Sequence, residues 1–251
     1  MTALPSRRTR PPFDCPRIDK TNPLTRGMRA LFVGDNGYEL VNGLLFNRLG
    51  TPTVGSDTAG RLLRCAANGV SYDGYYPPET TAGSRSDTLY NPIAPPITLV
   101  CIGRATGNFS CGIQRANGSG NGSWGCGMYT GTNKGAYGFF RTSSYTLLSP
   151  PDALVESIAT PGVGIFSIGA ANYALWSAPL GASTLYQETT GATPSGNFYY
   201  EYADAYRCMS YGSSFVVAGG DISLGALFVG VAWSKEQARE FLTNPWQLFE
   251  E

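Results

Sequence analysis

Along most of this chain, apolar residues come in short runs closed by Gly, Asn, Pro or Ser. RALFVGDNGYEL, NGLLFNRL, RLLRCAANGVSYDG, ITLVCIGRA, NFSCGIQRA, WGCGMYTG, GAYGFFRTSSYTLLS, VGIFSIGAANYALWSA, SSFVVAGG and ISLGALFVGVAW all read this way. Many short strands separated by turn residues predict a sandwich or barrel. The step Asp35-Asn36-Gly37 supplies one such turn, because Asn and Gly tolerate positive φ. ITLVCI and ALFVGVAW are apolar at successive positions rather than at alternate ones. Strands of that kind are covered on both faces, so both are expected at the centre of a sheet.

One stretch reads as a helix: WSKEQAREFLTNPWQLF, residues 233–249. A strand ending in Val231-Ala232-Trp233 stops at Ser234, a good N-cap, and Gln237 three residues on completes a capping box. The pattern predicts a helix over 235–243, with Ala238, Phe241 and Leu242 on one face. Asn244-Pro245 ends it, since proline disfavours helical backbone in the residue before it. Trp246, Leu248 and Phe249 are then expected to fold back onto the body, making the helix a lid over the open end of a sheet.

The opposite end differs. Residues 1–27 hold five prolines and little apolar periodicity, and proline's missing N–H rules out a helix interior or a central strand. Residues 1–30 carry seven Arg or Lys against two acids, leaving eleven basic and sixteen acidic residues for the rest. A basic segment on a mildly acidic body reads either as a loose tail or as a docking arm. The arm is the expectation, with Arg7, Arg8 and Arg10 as charged contacts and Phe13 and Ile18 as apolar anchors on a neighbouring subunit. Residues 28–251 show no internal repeat and read as one domain.

The two ends carry a resemblance. The serine-capped helix with its Asn244-Pro245-Trp246-Gln247-Leu248-Phe249 tail resembles the end of concanavalin A-like (LamG-type) jelly-roll proteins encoded by tailed bacteriophages. Asn22-Pro23-Leu24-Thr25-Arg26-Gly27 is similar to the start of their first strand, behind a Pro- and Arg-rich leader. These motifs cover some forty residues; between them the likeness is one of strand-and-turn texture. The resemblance implies an all-β, concanavalin A-like jelly-roll β-sandwich with an extended N-terminal arm and a short C-terminal helix.

Chemistry is limited by what is missing. The chain has 251 residues and no histidine, which excludes a histidine-based triad. It has no G-x-x-x-x-G-K-[ST] phosphate loop, and the glycines around Pro161-Gly162-Val163-Gly164 lack the strand-turn-helix setting of a nucleotide site. Jelly-roll glucanases carry E-x-D-x-x-E on one strand, and that motif is absent. Glu201 and Asp204 lie three residues apart, on opposite faces of any strand. The six cysteines form no C-x-x-C pair, so a zinc site is not expected; they read as core thiols of a protein made in a reducing cytosol. No apolar run approaches membrane-spanning length, and the basic N-terminus has no apolar stretch behind it to make a signal peptide.

The expected function is therefore non-enzymatic and needs no cofactor or metal. The resemblance implies a virion structural protein, a decoration or minor capsid protein made in the bacterial host cytoplasm and displayed on the virion surface. Its partners would be capsid or other virion proteins and further copies of itself in a closed homo-oligomer, not nucleic acid or membrane. The alternative is a tail-associated adhesin or carbohydrate-binding module recognising host glycans, with Trp124 and Tyr129 flanking a Gly- and Asn-rich loop as the glycan platform. Tyr199, Tyr200, Tyr202 and Tyr206 cluster later, and Asp35, Asp73 and Asp221 near turns would be the acids to test for calcium.

Overall fold

A computed structural model gives the fold for residues 8–12, 16–34, 37–49, 53–57, 59–65, 74–76, 94–105, 109–116, 122–129, 135–141, 145–148, 161–185, 187–198, 205–208 and 220–250. Two antiparallel sheets face each other. One runs Gln187–Ala192, Asn172–Pro179, Gly162–Ile168, Ile97–Ala105, Gly220–Val229, Gly60–Cys65 and Thr53–Asp57 from edge to edge. Met28–Val33 joins it as an eighth strand, pairing with Gly220–Val229 beside Gly60–Cys65. The other sheet runs Tyr145–Leu148, Gly135–Arg141, Gly122–Tyr129, Phe109–Ala116, Ala205–Cys208, Gly74–Tyr76 and Asn47–Leu49. Tyr38–Glu39 and Leu44–Leu45 form a small separate hairpin.

Ile97–Ala105 holds the position expected of its unbroken apolar run, whereas the run ALFVGVAW stays in its strand only as far as Val229 and leaves it at Gly230, φ +77, before Trp233. Ile97–Ala105 and Gly220–Val229 pair with each other in the middle of the eight-stranded sheet, and their apolar side chains are buried on both faces. Alternation decides which core each residue joins. Leu99 and Cys101 point between the sheets, with Phe166 and Ile168, towards Ile113, Trp124, Cys126 and Phe140 of the other sheet. Val100 and Ile102 point outward, with Val163, Ile165, Ala226 and Phe228.

That outward face would be apolar in water. It is covered by the C-terminal helix Lys235–Thr243, the 3₁₀ turn Pro245–Leu248 and the N-terminal turn Pro23–Thr25. The helix begins as expected: Ser234 Oγ accepts from Gln237 N at 3.3 Å, and Gln237 Oε1 accepts from Ser234 N at 2.9 Å. Ala238, Phe241 and Leu242 are buried, as are Trp246, Leu248 and Phe249. Each such large side chain contributes roughly 1.5–3 kcal/mol by leaving water. The helix covers the broad outer face of the eight-stranded sheet rather than the open end of a sheet, because that face carries the second row of apolar residues.

Glycines let the two sheets approach. A Cβ on Gly138 would lie 2.6 Å from the Phe166 ring of the opposite sheet, so the Phe166 side chain packs directly on the Gly138 backbone.

Candidate functional site

The residues picked out in the sequence are placed as follows. Trp124 is fully buried among Ile113, Cys126 and Phe140. The expectation of a glycan platform on this residue is overturned: its strand turns the indole between the sheets, where no sugar can stack on it. Tyr129 ends the same strand, its backbone in register with Gly135 and Phe109. Residues 117–121 of the Gly- and Asn-rich loop, the tyrosines at 199, 200 and 202, Glu201, Asp204, Asp35 and Asp73 lie outside the described residues. Asp221 is buried on a central strand and pairs with Arg104, whose Nε donates at 2.7 Å. Among the described residues no three His, Cys, Asp or Glu side chains converge as a metal set, and no helix is long and apolar enough to cross a membrane. Cys101 and Cys126 are buried in the core.

The arm is fastened to its own chain. Ile18 bridges Phe249, Asp19 N donates to Leu248 O at 2.8 Å, and Glu250 N donates to Arg17 O at 2.9 Å. Arg8 donates from Nη1 to Glu250 O at 3.3 Å, while its own carbonyl accepts from Asn244 Nδ2 at 2.8 Å. Arg10 contributes its carbonyl, which accepts from Arg8 Nε at 3.1 Å. Arg7 and Phe13 lie outside the described residues. The contacts expected with a neighbouring subunit are thus made, for Arg8 and Ile18, with the C-terminal tail of the same molecule. The physical reason is that this extended tail presents backbone groups that need partners, and the arm supplies them.

A different site emerges on the outer face of the eight-stranded sheet. The edge hairpin Asn172–Pro179/Gln187–Ala192 sets Trp176 opposite Glu188, Ala174 opposite Thr190 and Asn172 opposite Ala192. These residues share one face, since side chains alternate along a strand. The segment leading into the helix forms the facing wall. Thr98 Oγ1 donates to Val231 O and accepts from Trp233 N, both at 3.0 Å, and Ser167 Oγ donates to Trp233 O at 3.0 Å. Trp233 itself is wedged between Phe228 and Phe241, with ring centroids 4.7 and 5.5 Å away. This pinning sets Ser234 and Lys235 over the hairpin. The result is an open cleft of about 590 Å³ lined by Asn172, Trp176, Glu188, Thr190, Ser234 and Lys235, among others.

Its polar centre is a three-residue unit. The Trp176 indole N–H donates to Glu188 Oε1 at 3.0 Å, and the Lys235 ammonium donates to Glu188 Oε2. The Lys235 ammonium first, and the Trp176 N–H second, hold the Glu188 carboxyl below the usual carboxylate range. Trp176 is almost fully buried, so it forms floor rather than a stacking surface. Glu188 and Lys235 remain about a third exposed, at 32% and 38%, while Asn172 and Thr190 are exposed. Cleft volumes of this order are those that take small ligands. Among the described residues the cleft holds a single carboxylate, so they do not assemble the paired acids of glycoside hydrolysis there.

Sequence reasoning passed over Glu188, Thr190, Asn172 and Lys235. QETTGA has no apolar alternation and reads as a polar loop, so the only signal available was the capped helix that places Lys235.

No protein-family model and no curated protein sequence matches this chain. Among solved structures it is similar to domain 4 of AbnA, an extracellular arabinanase from Geobacillus stearothermophilus, determined with arabinotriose. The TM-score is 0.53 at 13% identity, covering 86% of this chain and 98% of that one. It is also similar to the binding domain of Paraclostridial Mosquitocidal Protein 1 (TM-score 0.53, 8% identity, 87% of this chain and 52% of that one). The lumenal domain of VIP36, in its Ca²⁺/Man2-bound form, gives 0.50 at 7% identity, covering 84% of this chain and 93% of that one. The chain thus spans about half the length of the Mosquitocidal Protein 1 structure it matches. At these identities the likeness is one of fold: this chain is a β-sandwich of the architecture found in those domains.

Proposed function

We propose that this protein is a non-catalytic carbohydrate-binding module whose glycan site is the outer-face cleft between the Gln187–Ala192 edge and Lys235. The observation that carries this reading is the cleft itself: a charged pair and exposed hydroxyl and amide groups on a rigid, buried floor. Polar groups held at fixed positions above a packed floor suit hydroxyl-rich ligands, because little side-chain ordering is left for binding to cost. The fold supports the reading, since the AbnA domain was solved with arabinotriose and the VIP36 domain with Man2. The resemblance of the chain ends to phage jelly-roll proteins is the support for reading such a module as a tail-associated adhesin for host surface glycans. An immobilised-glycan screen tests it. Wild-type protein should retain a defined subset of glycans, and an Asn172→Ala/Lys235→Met variant that still melts cooperatively should lose them. Retention of none, or equal retention by the variant, ends this reading.

The other reading is capsid decoration through the arm, which the terminal motifs alone support. It is the weaker one, because the backbone partners of residues 17–19 are taken by the chain's own tail. Particles lacking the protein decide between them: if the full chain rebinds the capsid and a chain starting at Asn22 does not, decoration stands.

A further inference from the structure

The cleft's charged pair carries information about which sugars it takes. An ionised carboxylate offers about four acceptor sites, and a lysine ammonium three donors. Glu188 uses one site on each oxygen, for Trp176 and Lys235, and Lys235 uses one donor on Glu188. Open acceptor sites and open donors therefore stand side by side at the cleft surface. Thr190, two residues along the same strand and on the same face, adds a hydroxyl about 7 Å away along the strand.

Charge then decides between ligand classes. Glu188 is held ionised by its two donors, so a ligand carboxylate drawn to Lys235 meets a fixed negative charge beside it. A ligand amine drawn to Glu188 meets Lys235, with the Arg239 cation one helical turn further on. Either ion is therefore repelled by the like charge that stands beside the group attracting it. A hydroxyl is not penalised in this way, because it both donates and accepts. Two adjacent hydroxyls answer the pair completely, one donating to Glu188 and the other accepting from Lys235.

Building on the glycan site proposed above, we infer that the Glu188–Lys235 pair reads the vicinal diol of a neutral saccharide and selects uncharged sugars over uronic and sialic acids. The test is calorimetric titration of the full chain with neutral pentose and hexose oligosaccharides, and with uronic-acid and sialylated oligosaccharides at equal concentration. Neutral sugars should bind about tenfold or more tightly than acidic ones, the scale of one charge-assisted hydrogen bond. Glu188→Gln should weaken the neutral ligand by a similar factor while narrowing the gap to the acidic ones, and Lys235→Met should weaken both. Thermal melts of the variants show that the fold is kept, which is expected for partly exposed side chains. Acidic sugars bound as well as neutral ones, or a folded Glu188→Gln with unchanged affinity, would sink the diol inference and leave glycan binding standing. No binding by the wild type to any member of the panel overturns the glycan reading, and the inference with it.

Discussion

Glu39 is fully buried, yet its carboxylate is well supplied with donors. It accepts from Leu31 N at 3.1 Å, Val41 N at 2.7 Å, Asn42 N at 2.9 Å and Asn42 Nδ2 at 2.7 Å. One side chain thus ties the small hairpin to the Met28–Val33 strand. Glu39→Ala strands these donors away from water, and we expect a loss of about 2–3 kcal/mol or more in urea unfolding. Gly27 sits at φ +77, and a Cβ there would lie 2.6 Å from Val231 Cγ2 and 2.8 Å from Val229 O. Gly27→Ala combines backbone strain with this collision and should lower the melting temperature by several degrees, on the order of 1–3 kcal/mol. Trp124→Ala removes a core indole, so roughly 3–5 kcal/mol of stability should be lost. Glycan retention by whatever fraction stays folded should be unchanged, and a selective loss of binding would return Trp124 to the site.

The capped helix is an element whose local signals and tertiary role agree. Ser-x-x-Gln wrote the start, Asn-Pro the end, and the spacing of Ala238, Phe241 and Leu242 gave the buried face; all three appear in the structure. Ser234→Ala should cost about 1 kcal/mol through the lost cap. Because Ser234 also precedes the lysine of the cleft, denaturant titration and glycan affinity should both register it. Other elements were not legible. Thr53–Asp57, Gln187–Ala192 and Ala205–Cys208 carry no apolar run and were not expected as strands. Thr53–Asp57 and Gln187–Ala192 lie at sheet edges, where a strand is specified by the neighbour it pairs with rather than by a buried row of its own. The candidate site depends on one of these edges, which is why it escaped the sequence reading.

Across the whole molecule, the two terminal motifs prove to be halves of one clasp. Asn22 Oδ1 accepts from Leu24 N at 2.9 Å, capping the first turn, and Asn22 Nδ2 donates to Gln247 O at 2.7 Å. Asn-Pro-Leu and Asn-Pro-Trp-Gln-Leu-Phe thus meet on the outer face of one sheet, more than two hundred residues apart in the chain. The Lys235–Glu188 pair joins the helix to the far edge in a similar way, and it makes stability depend on pH. The Glu188 carboxyl titrates lower in the folded chain than in the unfolded one. Its stabilisation is therefore complete above the ordinary carboxylate range and fades as pH falls through the lowered folded value. The difference in urea midpoint between wild type and Glu188→Gln should be measurable at neutral pH and shrink as pH falls below the ordinary carboxylate range; a difference that grew on acidification would contradict the pairing.

The sequence alone determined the all-β class, the central strands and the capped C-terminal helix. Those features are written by local rules: unbroken apolar runs, turn residues and a cap, each acting over a few neighbouring positions. The tertiary structure decided what faces what. It turned Trp124 inward and laid the arm of residues 17–22 on its own tail. It also brought Trp176, Glu188 and Lys235 together from two strands and a helix start. Strand pairing and sheet stacking fix those relations over long separations, through hydrogen bonds and buried area that no local pattern encodes.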